Sequence, residues 1–427
     1  MTCGSFVLKG DICWSTSQTE IVCVPDGTAV CVEGVCQGVF AADQLPECFS
    51  ALPVVDCSGK LVVPGLVDLH LHAPQYAFRG LGMDLELLDW LNARTFPEEA
   101  RYADAAYAVA AYAQFADGLR RSATTRAVVF GTLHVDATVR LMELLEDTGL
   151  VTYVGKVNMD RNSPDDLCET SEGSLAATLA WLDAVSDRFE RTSPILTPRF
   201  TPSVTDGLMA ELGKLCSERN LPVQSHLSEN PSEGAWVAEL CPWASCYGQT
   251  YERPGLLGPR TVMAHCVWSG GEEVELLRRT KTFVAHCPQS NAQLSSGIAP
   301  VRHYLDLGMN IGLGTDVAGG ASLSMWRAMS DAVAASKLRW RLVDQDLAPL
   351  SWQEAFWLAT AAGGAFFGNV GNFAPGAEFD ALVLDDSGIG PARELLSLER
   401  LERFVFLSEE GGRVERKFVR GREIDLA

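Results

Sequence analysis

Leu66-Val67-Asp68-Leu69-His70-Leu71-His72 is the stretch on which the fold turns. Apolar and polar residues alternate in it, the period of a strand whose side chains point to opposite faces in turn. The alternation predicts one face carrying Asp68, His70 and His72, with Leu69 and Leu71 packed behind it. Two neutral imidazoles two residues apart can grip one divalent ion, and zinc favours such nitrogen donors. A bare His-x-His pair also fits a satisfied core, so its meaning depends on the rest of the chain.

Outward from this strand, apolar runs alternate with helical patterns from Thr124 onward, the rhythm of a parallel sheet wrapped by helices. Eight runs are expected as strands: Leu61–His72, Thr125–Thr132, Val151–Met159, Ile195–Phe200, Pro222–Leu227, Thr261–Val267, Thr282–Cys287 and Asn310–Asp316. Helical periodicity lies between most of them, at Asp136–Asp147, Ser174–Arg188, Asp206–Arg219 and Gly271–Arg279. That count predicts an α/β fold, a (β/α)8 TIM-like barrel over residues 64–370. The flanks, 1–63 and 371–427, read as short strands broken by Gly, Pro and Asp, among them Ile21–Val24, Thr28–Val32, Phe379–Leu384, Arg403–Leu407 and Arg413–Val419. Both ends are expected to build one small β-sandwich domain beside the barrel.

Composition narrows the function classes. A chain of 427 residues with 47% hydrophobic residues can bury a large core. Its net charge of -21 leaves no basic footprint for nucleic acid and suits a neutral small molecule. The start of the chain lacks a basic, then apolar, leader, and no run is long enough to span a membrane, so a cytoplasmic protein is expected. Thirteen scattered cysteines without a Cys-x-x-Cys pair read as thiols in a reducing compartment.

In barrels of this type the chemistry sits at the C-terminal ends of the strands. Five of the seven histidines fall there: His70, His72, His226, His265 and His286. Strand four ends in Arg199-Phe200, strand five in His226 with Glu229 just beyond, and strand eight in Asp316. Three imidazoles from strands one and five plus Asp316 make a mixed nitrogen and oxygen site for one ion, His70, His72, His226 and Asp316 being the expected ligands. An ion so held makes water acidic enough to supply hydroxide at neutral pH. Asp316 is placed to take the water's proton and Glu229 to carry it onward; a helix N-terminal charge is the bland alternative for Glu229. His265 is expected to stabilise the tetrahedral oxygen, the alternatives being a fifth ligand or a core histidine. His286 either braces the metal shell or touches substrate, Asn291 fixes its loop, and His134 and His303 are expected to have surface or structural roles. Two-metal barrels often bridge their ions with a lysine at a strand end; Arg199 in that place favours one ion, Lys156 in strand three standing as the objection.

On these residues the chain resembles the amidohydrolase superfamily over essentially its whole length. The broad marks are Pro64-Gly-Leu-Val-Asp-Leu-His-Leu-His72, His226, His265 and Gly314-Thr-Asp316. Narrower motifs are similar to the branch that deaminates guanine. They are His72-Ala-Pro-Gln-Tyr76, Asp89-Trp-Leu-Asn92, Thr95-Phe-Pro-Glu-Glu99, Thr197-Pro-Arg-Phe200, Gln224-Ser-His-Leu-Ser-Glu-Asn230 and Gly314-Thr-Asp-Val-Ala-Gly-Gly320. The resemblance implies one zinc per chain, with iron as the alternative, held by His70, His72, His226 and Asp316. Glu229 and Asp316 would shuttle protons, and Gln75, Trp90, Arg199, Phe200 and His226 would contact the purine. It further implies hydrolysis of guanine to xanthine and ammonia in purine catabolism, no redox cofactor, and a homodimer. The rival readings are a deaminase of another aminopurine, a pterin or a triazine, and a barrel kept as a non-catalytic scaffold.

Overall fold

The computed structural model describes residues 4–390 and 393–427. Gly65 divides the first expected run in two: strand Val54–Pro64 belongs to a sheet built from the chain ends, and strand Leu66–His72 opens the barrel. The turn needs glycine, because a Cβ at position 65 would collide with the side chain of Thr125.

The terminal sheet has seven strands in the order Arg422–Ile424, Arg413–Val419, Ala381–Asp385, Val54–Pro64, Phe6–Ser15, Ile21–Val32, Val35–Phe40. Its pairs are antiparallel except Phe6–Ser15 with Val54–Pro64. Both ends of the chain therefore do build one small β unit, hydrogen-bonded continuously across all seven strands rather than split into two sheets. Phe6, Leu8, Ile12, Phe379, Val383 and Phe418 form its own apolar cluster. The expected strand Arg403–Leu407 is instead the end of an α-helix, Ser397–Leu407. Ser397, Leu401, Phe404 and Val405 are its buried residues, at the three- and four-residue spacing of a helix face. The aromatic-rich Phe404-Val405-Phe406 had the look of a strand, but burial follows the longer period.

Around the barrel, parallel pairing runs from Leu66–His72 to Thr124–Phe130, to Val151–Gly155, to Thr192–Pro194. A second parallel set runs through Val223–Leu227, Thr261–His265, Phe283–His286 and Ile311–Leu313. Strands three and four each break once, resuming as Val157–Asn158 and Thr197–Pro198, which pair with each other. Backbone bonds join the two sets: Leu196 N to Pro222 O and Gln224 N to Leu196 O, both at 2.9 Å. On the other side, Asp316 N donates to His70 O and His72 N to Val317 O, both at 2.8 Å, so the end of the last strand lies against the first. The helices between strands include Ala105–Arg121, Val135–Asp147, Ser171–Val185, Asp206–Arg219, Gly271–Thr280 and Met325–Leu342.

The simple alternation expected for Leu66–His72 is interrupted. Asp68 pairs opposite Ala127 but Leu71 opposite Val129, so three residues of one strand span two of the other, the signature of a bulge. In consequence Leu69 joins Val67 in a cluster with Val128, Ile195, Val262 and Phe283, drawn from five barrel strands, while Leu71 packs in the main core. Leu69 therefore does not stand behind the histidines with Leu71. The bulge lets Val67 and Leu69 fill the apolar interior and still turns His70 and His72 toward the site.

Barrel and terminal sheet are tied by Arg126, 1% exposed, whose guanidinium meets Asp380 at 2.7 Å and Glu378 at 2.8 Å. Lys417, fully buried, donates to the carbonyls of Arg120 at 2.6 Å and Thr124 at 3.0 Å. Among the described residues no helix is long and apolar enough to cross a membrane.

Candidate metal centre and active site

Asp68 anchors the site without facing its cavity. Its carboxylate accepts from Thr315 Oγ1 at 2.5 Å, Thr315 N at 3.0 Å and His70 N at 3.2 Å, so strand one fixes the loop that carries Asp316. Asp316 itself sits at φ +47°, His265 at +73° and Ser228 at +46°. Such non-glycine residues in the left-handed region cost of order 1–3 kcal/mol each and are held by their surroundings. Here they bend three strand ends inward.

The four expected ligands come together. His70 Nε2 lies 3.2 Å and His72 Nε2 3.5 Å from Asp316 Oδ1, and His72 Nε2 faces His226 Nε2 at 3.1 Å. His226 Nδ1 donates to Arg199 O at 2.6 Å, which fixes its tautomer and leaves a lone pair on Nε2, the arrangement metal-binding histidines use. Two overlapping triads, His70 with His226 and His265, and His70 with His72 and Asp316, have donor atoms within 4.8 Å of one another.

The donors fit a divalent cation. His70 Nε2, which faces Asp316, is buried without a hydrogen-bond partner. Burial first, then neighbouring imidazoles and Arg199, holds His70, His72 and His226 well below the ordinary histidine value. They are neutral bases, as ligation requires. Burial also pushes Asp316 up, and burial followed by the charge of Asp316 pushes Glu229 well up. A cation at the point where these lone pairs meet would relieve all of these strains together.

Above the donors opens a small cavity. Gln75, Trp90, Arg199, Phe200, His226, Glu229, His265 and Asp316 all line it, together with His72, Leu87, Leu91 and Leu294. Every residue expected to contact substrate or move protons thus borders one space, and His70 lies beneath it against Asp316. Glu229 is not merely a helix-end charge. The cap of helix Pro231–Leu240 is Asn230, with Glu233 closing a capping box. Glu233 Oε2 accepts from Glu229 N at 2.9 Å, freeing the Glu229 side chain for the cavity. There Ser296 Oγ donates to Glu229 Oε1 at 3.2 Å, and His265 Nε2 stands 3.4 Å from Oε2.

His265 is anchored by Asn291, whose Oδ1 accepts from Nδ1 at 3.0 Å, so Asn291 orients a histidine as well as its loop. With Nδ1 so engaged, a neutral His265 offers a lone pair at Nε2, and only the imidazolium donates there. His286 is buried and held down to about 3 by burial and by His265, but does not line the cavity. Neither do His134 and His303. Lys156 Nζ is bound by both oxygens of Glu169, at 2.7 and 2.6 Å, and takes no part in the donor cluster.

One residue without a role in the sequence reading stands out. Glu99, 1% exposed, accepts from Gln75 Nε2 at 3.1 Å and from Arg199 Nη1 at 2.5 Å. It lies in the quoted Thr95–Glu99 motif, where an acid following Pro97 reads as an ordinary charge in a helix's first turn.

The family model described as "Amidohydrolase family" matches residues 61–424. The guanine deaminase of Dictyostelium discoideum is 38% identical over 365 residues, 84% of this chain and 81% of the relative. That of Escherichia coli K12 is 37% identical over 350 residues, 80% of this chain and 76% of the relative. Among solved structures, a guanine deaminase from C. acetobutylicum with guanine in its active site superposes with a TM-score of 0.95. It is 41% identical, and the match covers 99% of this chain and 100% of that one.

Proposed function

This chain belongs to the amidohydrolase family, and we propose that it is a zinc-dependent hydrolase converting guanine and water to xanthine and ammonia. The observation that carries this reading is the convergence of His70, His72, His226 and Asp316 beneath a cavity walled by Gln75, Arg199 and Phe200. A similar chain holds guanine in its active site.

His70, His72, His226 and Asp316 would hold the ion, which when bound makes water acidic enough to supply hydroxide at neutral pH. Gln75 and Arg199 hydrogen-bond the purine edge, Phe200 and Trp90 flank its plane, and Leu87, Leu91 and Leu294 keep bulk water out. Addition occurs at the amino-bearing carbon between two ring nitrogens. Asp316 accepts the proton given up by the attacking water. Glu229 delivers a proton to the adjacent ring nitrogen. His265, whose Nε2 lies between Glu229 and Asp316, stands beside the developing oxygen and stabilises it. When the tetrahedral carbon collapses, the amino group takes the remaining proton and leaves as ammonia. One water is consumed, the carbon–nitrogen bond breaks, and no electron leaves the system.

The test is ammonia release across a panel of guanine, adenine, a pterin and an aminotriazine, with metal content measured on protein purified without chelator. Guanine should be turned over with one zinc bound per chain. Turnover of another member of the panel with guanine inert would replace the substrate, iron in place of zinc would replace the ion, and protein inert toward all four would revive the scaffold reading. The reading includes a homodimer in the cytoplasm, for which light scattering should give twice the 46.2 kDa chain mass.

A further inference from the structure

Gln75 and Arg199, the two side chains assigned to the purine edge, end on a single carboxylate. Glu99 takes Gln75 Nε2 on one oxygen and Arg199 Nη1 on the other. Each partner is further fixed. Gln75 Oε1 accepts from Ala318 N at 3.2 Å, and a peptide N–H can only donate, so the amide has one orientation. One Nε2 hydrogen is then spent on Glu99 and the other remains for the cavity. The Arg199 guanidinium lies 5.3 Å from the centre of the Phe96 ring, which closes another side. Glu99 does not line the cavity, so it acts through these two residues.

The charge of the arrangement matters as much as its shape. A buried guanidinium without a counter-charge draws anions, whereas one paired with a buried carboxylate presents donors and no net charge. Guanine is neutral around pH 7. Xanthine is a stronger acid and loses a ring proton close to neutrality. We propose that Glu99 is a positioning residue that sets specificity by cancelling the charge of Arg199, so that the wall holds the neutral substrate and lets the ionised product go. The inference rests on the guanine reading above. It goes further in assigning product release to a residue that never touches the ligand.

The test compares the KM for guanine with the inhibition constant of xanthine, at pH values below and above the loss of xanthine's ring proton. In the wild-type protein inhibition by xanthine should weaken as xanthine ionises. Glu99→Gln keeps the shape and removes the charge. It should raise the KM by roughly tenfold and tighten alkaline xanthine inhibition by roughly tenfold, with little change on the acid side. Glu99→Asp keeps the charge but shortens the reach, so xanthine inhibition should stay weak while the KM stays raised. Xanthine inhibition that strengthens with ionisation in the wild type overturns the proposal without recourse to any variant. A Gln variant with an unchanged ratio of the two constants, or an Asp variant that behaves like Gln, overturns it as well. Wild-type protein that leaves guanine untouched would instead remove the underlying reading.

Discussion

Glu229→Gln removes one titratable proton together with the carboxylate oxygen that stands 3.4 Å from His265 Nε2. The amide oxygen can still accept from Ser296 Oγ, now 3.2 Å from Oε1. Its backbone N–H stays on Glu233, and none of the four proposed ligands is touched. At 4% exposure, bulk water has little access to substitute for the lost donor. A positioned acid or base contributes about 10²–10⁴-fold, or about 2.7–5.4 kcal/mol of barrier at 1.36 kcal/mol per tenfold. The variant should therefore lose about that factor in kcat, keep the KM within roughly threefold, and keep its zinc, since only a transition-state contribution is removed. Steady-state ammonia release gives the rate constants, and plasma mass spectrometry gives the metal. A kcat within about fivefold of wild type, at full metal content, would refute the proton-carrier role and hand it to Asp316 or to solvent.

Three further outcomes follow from the same geometry. Arg199→Ala should raise the KM for guanine by roughly ten- to a hundredfold, the worth of a hydrogen bond to a charged group, while zinc content is unchanged; an unaltered KM would mean that Arg199 serves only its ion pair with Glu99. Arg126→Ala should destabilise the protein by about 3–5 kcal/mol, because it strands the buried carboxylate of Asp380, and a denaturant midpoint equal to wild type would refute this. Burial holds Lys417 down to about 7 against an ordinary 10.5, so its contribution to stability is fully present above about 10.5 and is lost as pH falls through about 7. Between those values stability should rise with a slope of up to about 1.4 kcal/mol per pH unit, and Lys417→Met should flatten that part of the profile in urea titrations.

The site was legible because a barrel gathers strand ends, so residues far apart in sequence share one position within the repeating unit. His70, His226, His265 and Asp316 could each be located that way, and all four meet in space. The bulge at Leu69 was not legible, since alternation is read on the assumption that each residue has one partner across the ladder. Helix Ser397–Leu407 was misread for a related reason: Phe404-Val405-Phe406 is locally rich in strand-forming residues, and tertiary packing of Leu401, Phe404 and Val405 overrode that preference. Glu99 escaped because its meaning lies in its partners, Gln75 and Arg199, which are 24 and 100 residues away. A glutamate in Thr95-Phe-Pro-Glu-Glu99 carries no local mark that separates a buried bridge from a surface charge.

Stripping the metal with a chelator and titrating zinc back, while following both guanine turnover and bound metal, tests the central claim most directly. The account predicts an inactive metal-free protein whose activity returns in proportion to zinc and saturates at one ion per chain, with His226→Ala unable to recover. Guanine turned over at the full rate by protein free of metal would contradict it.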